Sequence, residues 1–140
     1  MSAVETAPAL SGHELSRLAT DALERATSGH SGPWRRAAAV LGRQSIEQSI
    51  ATLWAGRSPA MAETSMRAQL IALPHFLAHP VAHRSTWAWS ALSDFCHHRV
   101  YELPPALPTL TACIRHTCEL ADAVAKAQAG SARTRTEEVP

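Results

Sequence analysis

The side chains best suited to chemistry gather in one short stretch that follows a pair of tryptophans. It holds, in order, Cys96, His97, His98, Arg99 and Tyr101. Histidine titrates close to neutral pH, so His97 and His98 are candidate general acid/base groups. In the alternative interpretation the stretch caps a helix: one histidine covers the last carbonyls, and Tyr101 packs under the bundle. Nucleophilic Cys–His chemistry is disfavoured, because adjacency on a helix does not aim the Cys96 thiol at His97.

A zinc site is a second possibility for the same region. Cys113 and His116 stand three residues apart, and Cys96 with His97 or His98 could face them across a bundle. Zinc accepts such ligands in tetrahedral geometry. However, the spacings match no compact zinc motif, and Cys113 falls on an apolar stripe, where cysteine commonly acts as a small hydrophobe. We therefore predict no metal and no cofactor, with Cys96, Cys113 and His116 as the ligands should a metal bind.

Three charged residues farther upstream could contribute to such a site. Arg43 and Glu47 stand one helical turn apart and can pair, and Arg67 follows on the next predicted helix. They would line a polar groove next to His97 if their helices pack against the helix that carries it. The alternative is an ordinary solvated face whose ion pairs contribute little to stability.

Composition limits the class of protein that must position these groups. The 140 residues are 46% hydrophobic and 18% charged, which is typical of one globular domain. A net charge of +1 creates no basic field of the kind that attracts nucleic acid. The sequence contains neither an apolar run long enough to span a membrane nor a signal-peptide pattern. Its odd number of cysteines fits a reducing compartment, so we expect a cytoplasmic protein without membrane association.

Apolar residues recur at helical spacing along most of the chain, and no strand-like alternation interrupts them. Five helices are predicted: from Ser11 to about Ser28, from Pro33 or Trp34 to about Ala55, from about Glu63 with a kink or an early end at Pro74, from about Ala82 to His98, and from about Pro108 onward. This pattern predicts an all-α fold, an antiparallel four- to five-helix bundle. The bundle domain spans residues 11–126, between a flexible leader at 1–10 and a disordered tail at 127–140.

Two segments of this bundle resemble a known superfamily. Arg43-Gln-Ser-Ile-Glu47 lies on an early helix, and Leu92-Ser-x-x-Cys-His97-His-x-x-Tyr101 ends a late one. Together with the helical architecture, they resemble the HEPN superfamily of small four- to five-helix domains, many of them prokaryotic. The resemblance covers roughly Ser11 to Val124.

The resemblance implies a function through a short catalytic signature. What the resemblance implies for the chain is what many HEPN proteins are: metal-independent ribonucleases that act as dimers, whose signature is an arginine, four to six intervening residues and then a histidine. By this resemblance His97 or His98 occupies the place of the catalytic histidine. No arginine stands at that distance before either of them, since the nearest upstream is Arg84.

We therefore predict a homodimeric, HEPN-like module that binds a protein or RNA partner without catalysis. The alternative is a metal-independent ribonuclease that uses His97 or His98 as general acid/base. Arg67 or Arg99 would then stabilise the charge of the transition state, with Tyr101 nearby.

Overall fold

The computed structural model describes residues 9–29, 31–97 and 106–138. These residues form α1 (Gly12–Thr27), α2 (Ser31–Arg57), α3 (Met66–Ala72), α4 (His79–Cys96) and α5 (Leu107–Glu137), with short 3₁₀ helices at Pro59–Glu63 and Leu73–His75. No strand occurs among them, so the predicted all-α bundle is confirmed. None of these described helices is both long enough and apolar enough to cross a membrane.

Helix α2 is the central helix, because it packs against α1, α4 and α5. The apolar stripe predicted for it is buried: Ala39, Gly42, Ile46, Ile50 and Leu53. Trp54, near its end, is completely buried and meets Phe76 edge to face, with ring centroids 4.9 Å apart. The apolar face predicted for α5, from Leu110 to Val124, closes the same core.

Helix α1 begins where the sequence indicates and approaches α2 very closely. The Ser11 hydroxyl accepts a hydrogen bond from the Glu14 N–H at 3.1 Å, which satisfies one of the free donors of the first turn. On the α2 side, the buried Ser45 hydroxyl donates to the Gly12 carbonyl at 2.7 Å. A methyl group added at Gly12 would lie only 3.3 Å from the Ser49 Cα. The two helices therefore need a residue without a side chain at position 12.

The segment after α2 is more broken than a single helix. A 3₁₀ helix comes first, and Ser65 then caps α3 by accepting from the Ala68 N–H at 3.2 Å. Pro74 lies in the second 3₁₀ helix, directly after α3. Since proline has no N–H to donate, the predicted helix ends early there rather than continuing with a kink. Helix α4 begins at His79, a few residues before the predicted start, with Pro80 in its first turn.

The predicted disordered tail is wrong for the part that the structure describes, because α5 continues to Glu137. Two side chains tie this extension to α2. Gln128 donates to the Thr52 carbonyl at 3.3 Å, and Arg57 donates to the Ala127 carbonyl at 3.4 Å. Alanine and glutamine also favour helix, so the chain continues α5 without needing an apolar stripe. Most of the predicted leader, residues 1–8, lies outside the described residues.

Candidate binding groove

A groove of about 710 Å³ lies between α3 and α4. Its lining comes from α3, the following 3₁₀ helix and α4: Arg67, Leu70, Ile71, Pro74, His83, Thr86, Trp89 and Ser90. Pro74 lies in the 3₁₀ helix directly after α3, and this 3₁₀ helix, rather than α3 itself, packs closely against α4. The groove therefore lies beside the break between the two helical segments.

The wall that α3 contributes is apolar and partly exposed. Leu70 is 5% exposed and belongs to the core, while its neighbour Ile71 is 71% exposed. Successive residues of a helix point in different directions, so α3 can anchor itself through Leu70 and still present Ile71 to solvent. Pro74 continues the apolar surface beyond the end of α3. An aliphatic side chain this exposed is available to a binding partner.

Trp89 forms part of the wall that α4 contributes, and two residues of α2 contact its ring. The indole N–H donates to Glu47 Oε1 at 3.3 Å, and the Arg43 guanidinium lies 5.5 Å from the ring centroid. Arg43 Nε donates to the same Glu47 oxygen at 3.0 Å, which confirms the predicted pair. The hydrogen bond and the cation–π contact together fix the orientation of the ring. The groove thus has one half-buried aromatic wall with a defined position.

Among the described residues that line the groove, the titratable side chains are an arginine and a histidine. Arg67 and His83 are exposed, and neither makes a side-chain hydrogen bond or ion pair within the described residues. The His83 ring only packs edge to face against His79, with centroids 6.2 Å apart. No carboxylate is among the described residues that line the groove. The positive charge of Arg67 is therefore not neutralised by any residue that the structure describes.

The histidine cluster at the end of α4 is described only in part. His97 closes the helix through its backbone N–H, which donates to the Ser93 carbonyl at 3.2 Å, and its side chain is exposed. His98, Arg99 and Tyr101 lie outside the described residues. The structure brings Arg67 into a groove with His83, and His97 does not line that groove.

Cys96 lies beside the Arg43–Glu47 pair, so two of the charged residues singled out in the sequence do reach the end of α4. Burial raises the pKa of the Cys96 thiol above its ordinary value, while the Arg43 guanidinium beside it acts in the opposite direction. The net upward shift keeps the thiol protonated at neutral pH. A protonated thiol is a poor nucleophile and a poor metal ligand.

The three residues considered as zinc ligands lie in different environments. Cys113 is completely buried in the core. The His116 ring packs edge to face against Trp87, with centroids 5.8 Å apart, and its Nδ1 lies 3.7 Å from the Glu119 carboxylate. Cys96 lies beside Arg43 at the end of another helix. In the part of the chain that the structure describes, no three His, Cys, Asp or Glu side chains are grouped so that they could hold a metal ion.

The buried Cys113 thiol should make the protein less stable at alkaline pH. Burial raises the pKa of this thiol from the ordinary 9.0 to about 11. As the pH rises above about 9, the unfolded chain loses the proton first, so unfolding becomes easier until the folded thiol also ionises near pH 11. The free energy of unfolding should therefore fall in this window, by at most about 1.4 kcal/mol for each pH unit.

Urea unfolding of the wild type and of Cys113→Ala, repeated from pH 7.5 to 10.5, measures this effect. The variant starts from a lower stability, but its curve should fall less steeply above pH 9, since all other titrating groups are shared. Parallel curves for the two proteins would contradict the prediction.

Several groove residues were not singled out in the sequence, although a local signal for them exists. His83, Thr86 and Ser90 recur at helical spacing on α4 and form a polar stripe beside Trp89. Arg67, Leu70 and Pro74 have the matching spacing on the other side. The polar stripe of α4 alone is typical of a solvated helix face, whereas Leu70 on the α3 side is typical of a buried one. Only the tertiary structure shows that residues of both stripes line one groove.

Comparison with protein-family models, with curated proteins and with solved structures found no match to this chain. The HEPN resemblance thus stays a prediction drawn from the bundle and from the two sequence segments quoted for it.

Proposed function

We propose that this chain is a helical binding module that docks an apolar segment of a partner protein in the groove between α3 and α4, without catalysis. One observation carries the proposal: an open groove of about 710 Å³ whose lining includes both the exposed Ile71 and the half-buried Trp89. Grooves between helices commonly receive an amphipathic helix whose apolar side chains are spaced at one-turn intervals.

The fixed orientation of the Trp89 ring supports this use of the groove. Large aromatic side chains contribute much of the affinity at protein interfaces. Since Glu47 and Arg43 already hold the indole ring, a partner would not have to restrict its motion on binding. Ile71 offers an aliphatic anchor on the facing wall. An apolar side chain bound in the groove would be shielded from water by the residues that line it, Ile71 and Trp89 among them.

The charges of the groove favour protein over RNA as the partner. RNA-binding surfaces obtain affinity by contacting several phosphates with lysine and arginine. Within the described residues, this groove offers one arginine, Arg67, and one histidine, His83. The chain as a whole has a net charge of +1. Most of the remaining lining is apolar, which suits the side chains of a peptide better than a sugar–phosphate backbone.

One further feature favours a ribonuclease as a second candidate function. The Arg43 guanidinium comes from α2 and lies beside Cys96, the residue before His97. A ribonuclease using His97 or His98 would need an arginine from another helix. Arg43 is a candidate for that role, because it lies next to the residue that precedes His97. RNA cleavage by the pure protein in EDTA tests this candidate against a His97→Ala/His98→Ala double variant. Equal background cleavage by both proteins would eliminate it.

The proposal also includes the homodimer and the cytoplasmic location that the sequence analysis predicts. Gel filtration with light scattering measures the dimer directly. A monomeric protein would remove the dimer from the proposal but would leave the groove as a binding site for a different chain.

Replacing Ile71 with glutamate should weaken binding in the groove without unfolding the protein. Because Ile71 is 71% exposed, we expect the free energy of unfolding to change by less than about 0.5 kcal/mol. A charge placed against the apolar groove should weaken binding at least about tenfold. The probes are peptides selected from a random phage-displayed library against the wild type, with affinities measured by fluorescence anisotropy.

Leu18→Glu is the matched control, since Leu18 is 42% exposed on α1 and does not line the groove. It introduces the same charge and should leave peptide affinity within twofold of the wild type. Equal losses in the two variants, or failure to select any apolar peptide, would refute binding in the groove.

A further inference from the structure

The arginine of the groove differs in its surroundings from two arginines of the bundle that form ion pairs. Arg43 pairs with Glu47 at 3.0 Å, and Arg84 pairs with Glu119 at the same distance. Arg67, in contrast, has no ion pair or side-chain hydrogen bond among the described residues, although it lines the same groove as the apolar Leu70 and Ile71. An apolar groove with an unneutralised cation attracts ligands that are apolar and negatively charged.

The position of Arg67 defines where such a negative charge must lie. Arg67 stands one helical turn before Leu70 and Ile71, at the first turn of α3. A guanidinium group binds a carboxylate through two parallel hydrogen bonds. On the opposite helix, His83 carries an imidazole N–H that can donate to the same ligand. A ligand whose apolar part lies against Ile71 can thus meet the Arg67 guanidinium toward the start of α3.

We infer that the groove takes an acidic amphipathic segment of a partner protein, in which a carboxylate about one helical turn from the apolar anchors pairs with Arg67. This inference rests on the proposed function and adds the chemistry of the partner to it. An aspartate or glutamate of the partner at this position would form an ion pair with Arg67 next to the apolar contact. The same carboxylate sets the direction of the bound segment, because Arg67 lies at only one end of α3.

Charge reversal at Arg67 tests the inference. Peptides are selected from the random library on the full-length wild type and, separately, on Arg67→Glu. Wild-type peptides should carry Asp or Glu about one turn from a pair of apolar residues, and Arg67→Glu should bind them at least tenfold more weakly. Replacing the acidic residue of such a peptide with lysine should restore binding to Arg67→Glu.

Arg36→Glu is the matched control, because Arg36 is exposed on α2, does not line the groove, and changes the net charge by the same amount. It should alter peptide affinity less than twofold. Arg67 is also exposed, so its replacement should leave the far-UV circular dichroism spectrum unchanged.

The possible results separate the inference from the proposed function. Selected peptides that are apolar but lack an acidic preference, and that bind Arg67→Glu normally, would overturn the inference while leaving the groove as a binding site. If no peptide can be selected, or if Ile71→Glu binds the selected peptides as tightly as the wild type does, the proposed function itself fails. A change in oligomeric state caused by Arg67→Glu would identify a second copy of this chain as the occupant and would overturn the inference. The inference would also be overturned if a single-stranded RNA oligonucleotide binds the wild type, binds Arg67→Glu more weakly, and is not displaced by the peptides.

Discussion

Replacing Trp54 with alanine should lower the free energy of unfolding by about 3–5 kcal/mol, the cost typical of removing a buried aromatic side chain. Trp54 is completely buried near the end of α2, and its ring meets Phe76 edge to face at 4.9 Å. Phe76 follows the 3₁₀ helix that packs against α4. The substitution would therefore leave a cavity where α2 supports the segment that forms the groove.

Urea unfolding followed by far-UV circular dichroism measures this loss. Trp87→Ala is the control, since Trp87 is 46% exposed and contacts His116 at the surface, and it should cost about 1 kcal/mol or less. Trp54→Phe should cost less than Trp54→Ala, because it keeps an aromatic ring and the buried indole N–H has no hydrogen-bond partner in the described structure. Similar losses in Trp54→Ala and Trp87→Ala would show that Trp54 is not a central core residue.

Replacing Gly12 with alanine should destabilise the protein by about 1–3 kcal/mol, the range for inserting a methyl group into a close-packed contact. Alanine favours helix more than glycine does, so helix propensity alone predicts the opposite sign. The new methyl group would lie 3.2 Å from Ser49 Cβ and 3.3 Å from Ser49 Cα. Because Ser49 Cα belongs to the backbone of α2, α1 would have to move outward. That movement would strain the buried hydrogen bond from Ser45 to the Gly12 carbonyl.

Gly56→Ala is the matched control for this prediction. A methyl group at Gly56 would have the Gln128 amide nitrogen as its nearest neighbour at 3.9 Å, an ordinary contact. The same substitution should therefore raise stability there, by up to about 1 kcal/mol. Unfolding curves for the two variants should shift in opposite directions. A stabilised Gly12→Ala would show that α1 and α2 do not approach as closely as described.

Local sequence patterns predicted the parts of the fold that depend on short-range interactions. Ser11 caps α1 because its hydroxyl needs only the N–H of Glu14, three residues away. The stripe from Ala39 to Leu53 is buried, since residues one turn apart share a face wherever the helix packs. Pro74 ends α3 because its own ring removes a backbone donor. Each of these outcomes is decided within a few residues.

The end of α5 could not be predicted in the same way. Residues after Gln128 have no apolar periodicity, which led to the prediction of a disordered tail. The structure continues the helix to Glu137, and its first part is held by Gln128 and Arg57. These hydrogen bonds join α5 to α2 across a long separation in sequence. Sequence periodicity reports burial and carries no information about such polar contacts.

In the candidate site, too, the features set by local sequence differ from those set by the tertiary structure. By itself the sequence determined the presence of the five described α-helices, the buried stripe of α2 and the Arg43–Glu47 pair, because these depend on helical spacing. Tertiary structure alone decided that Arg67 shares a groove with His83 rather than with His97. The physical reason is that a groove belongs to two helices at once. Its shape depends on how α3 and α4 are placed relative to one another, and the spacing of residues within a single helix does not encode that placement.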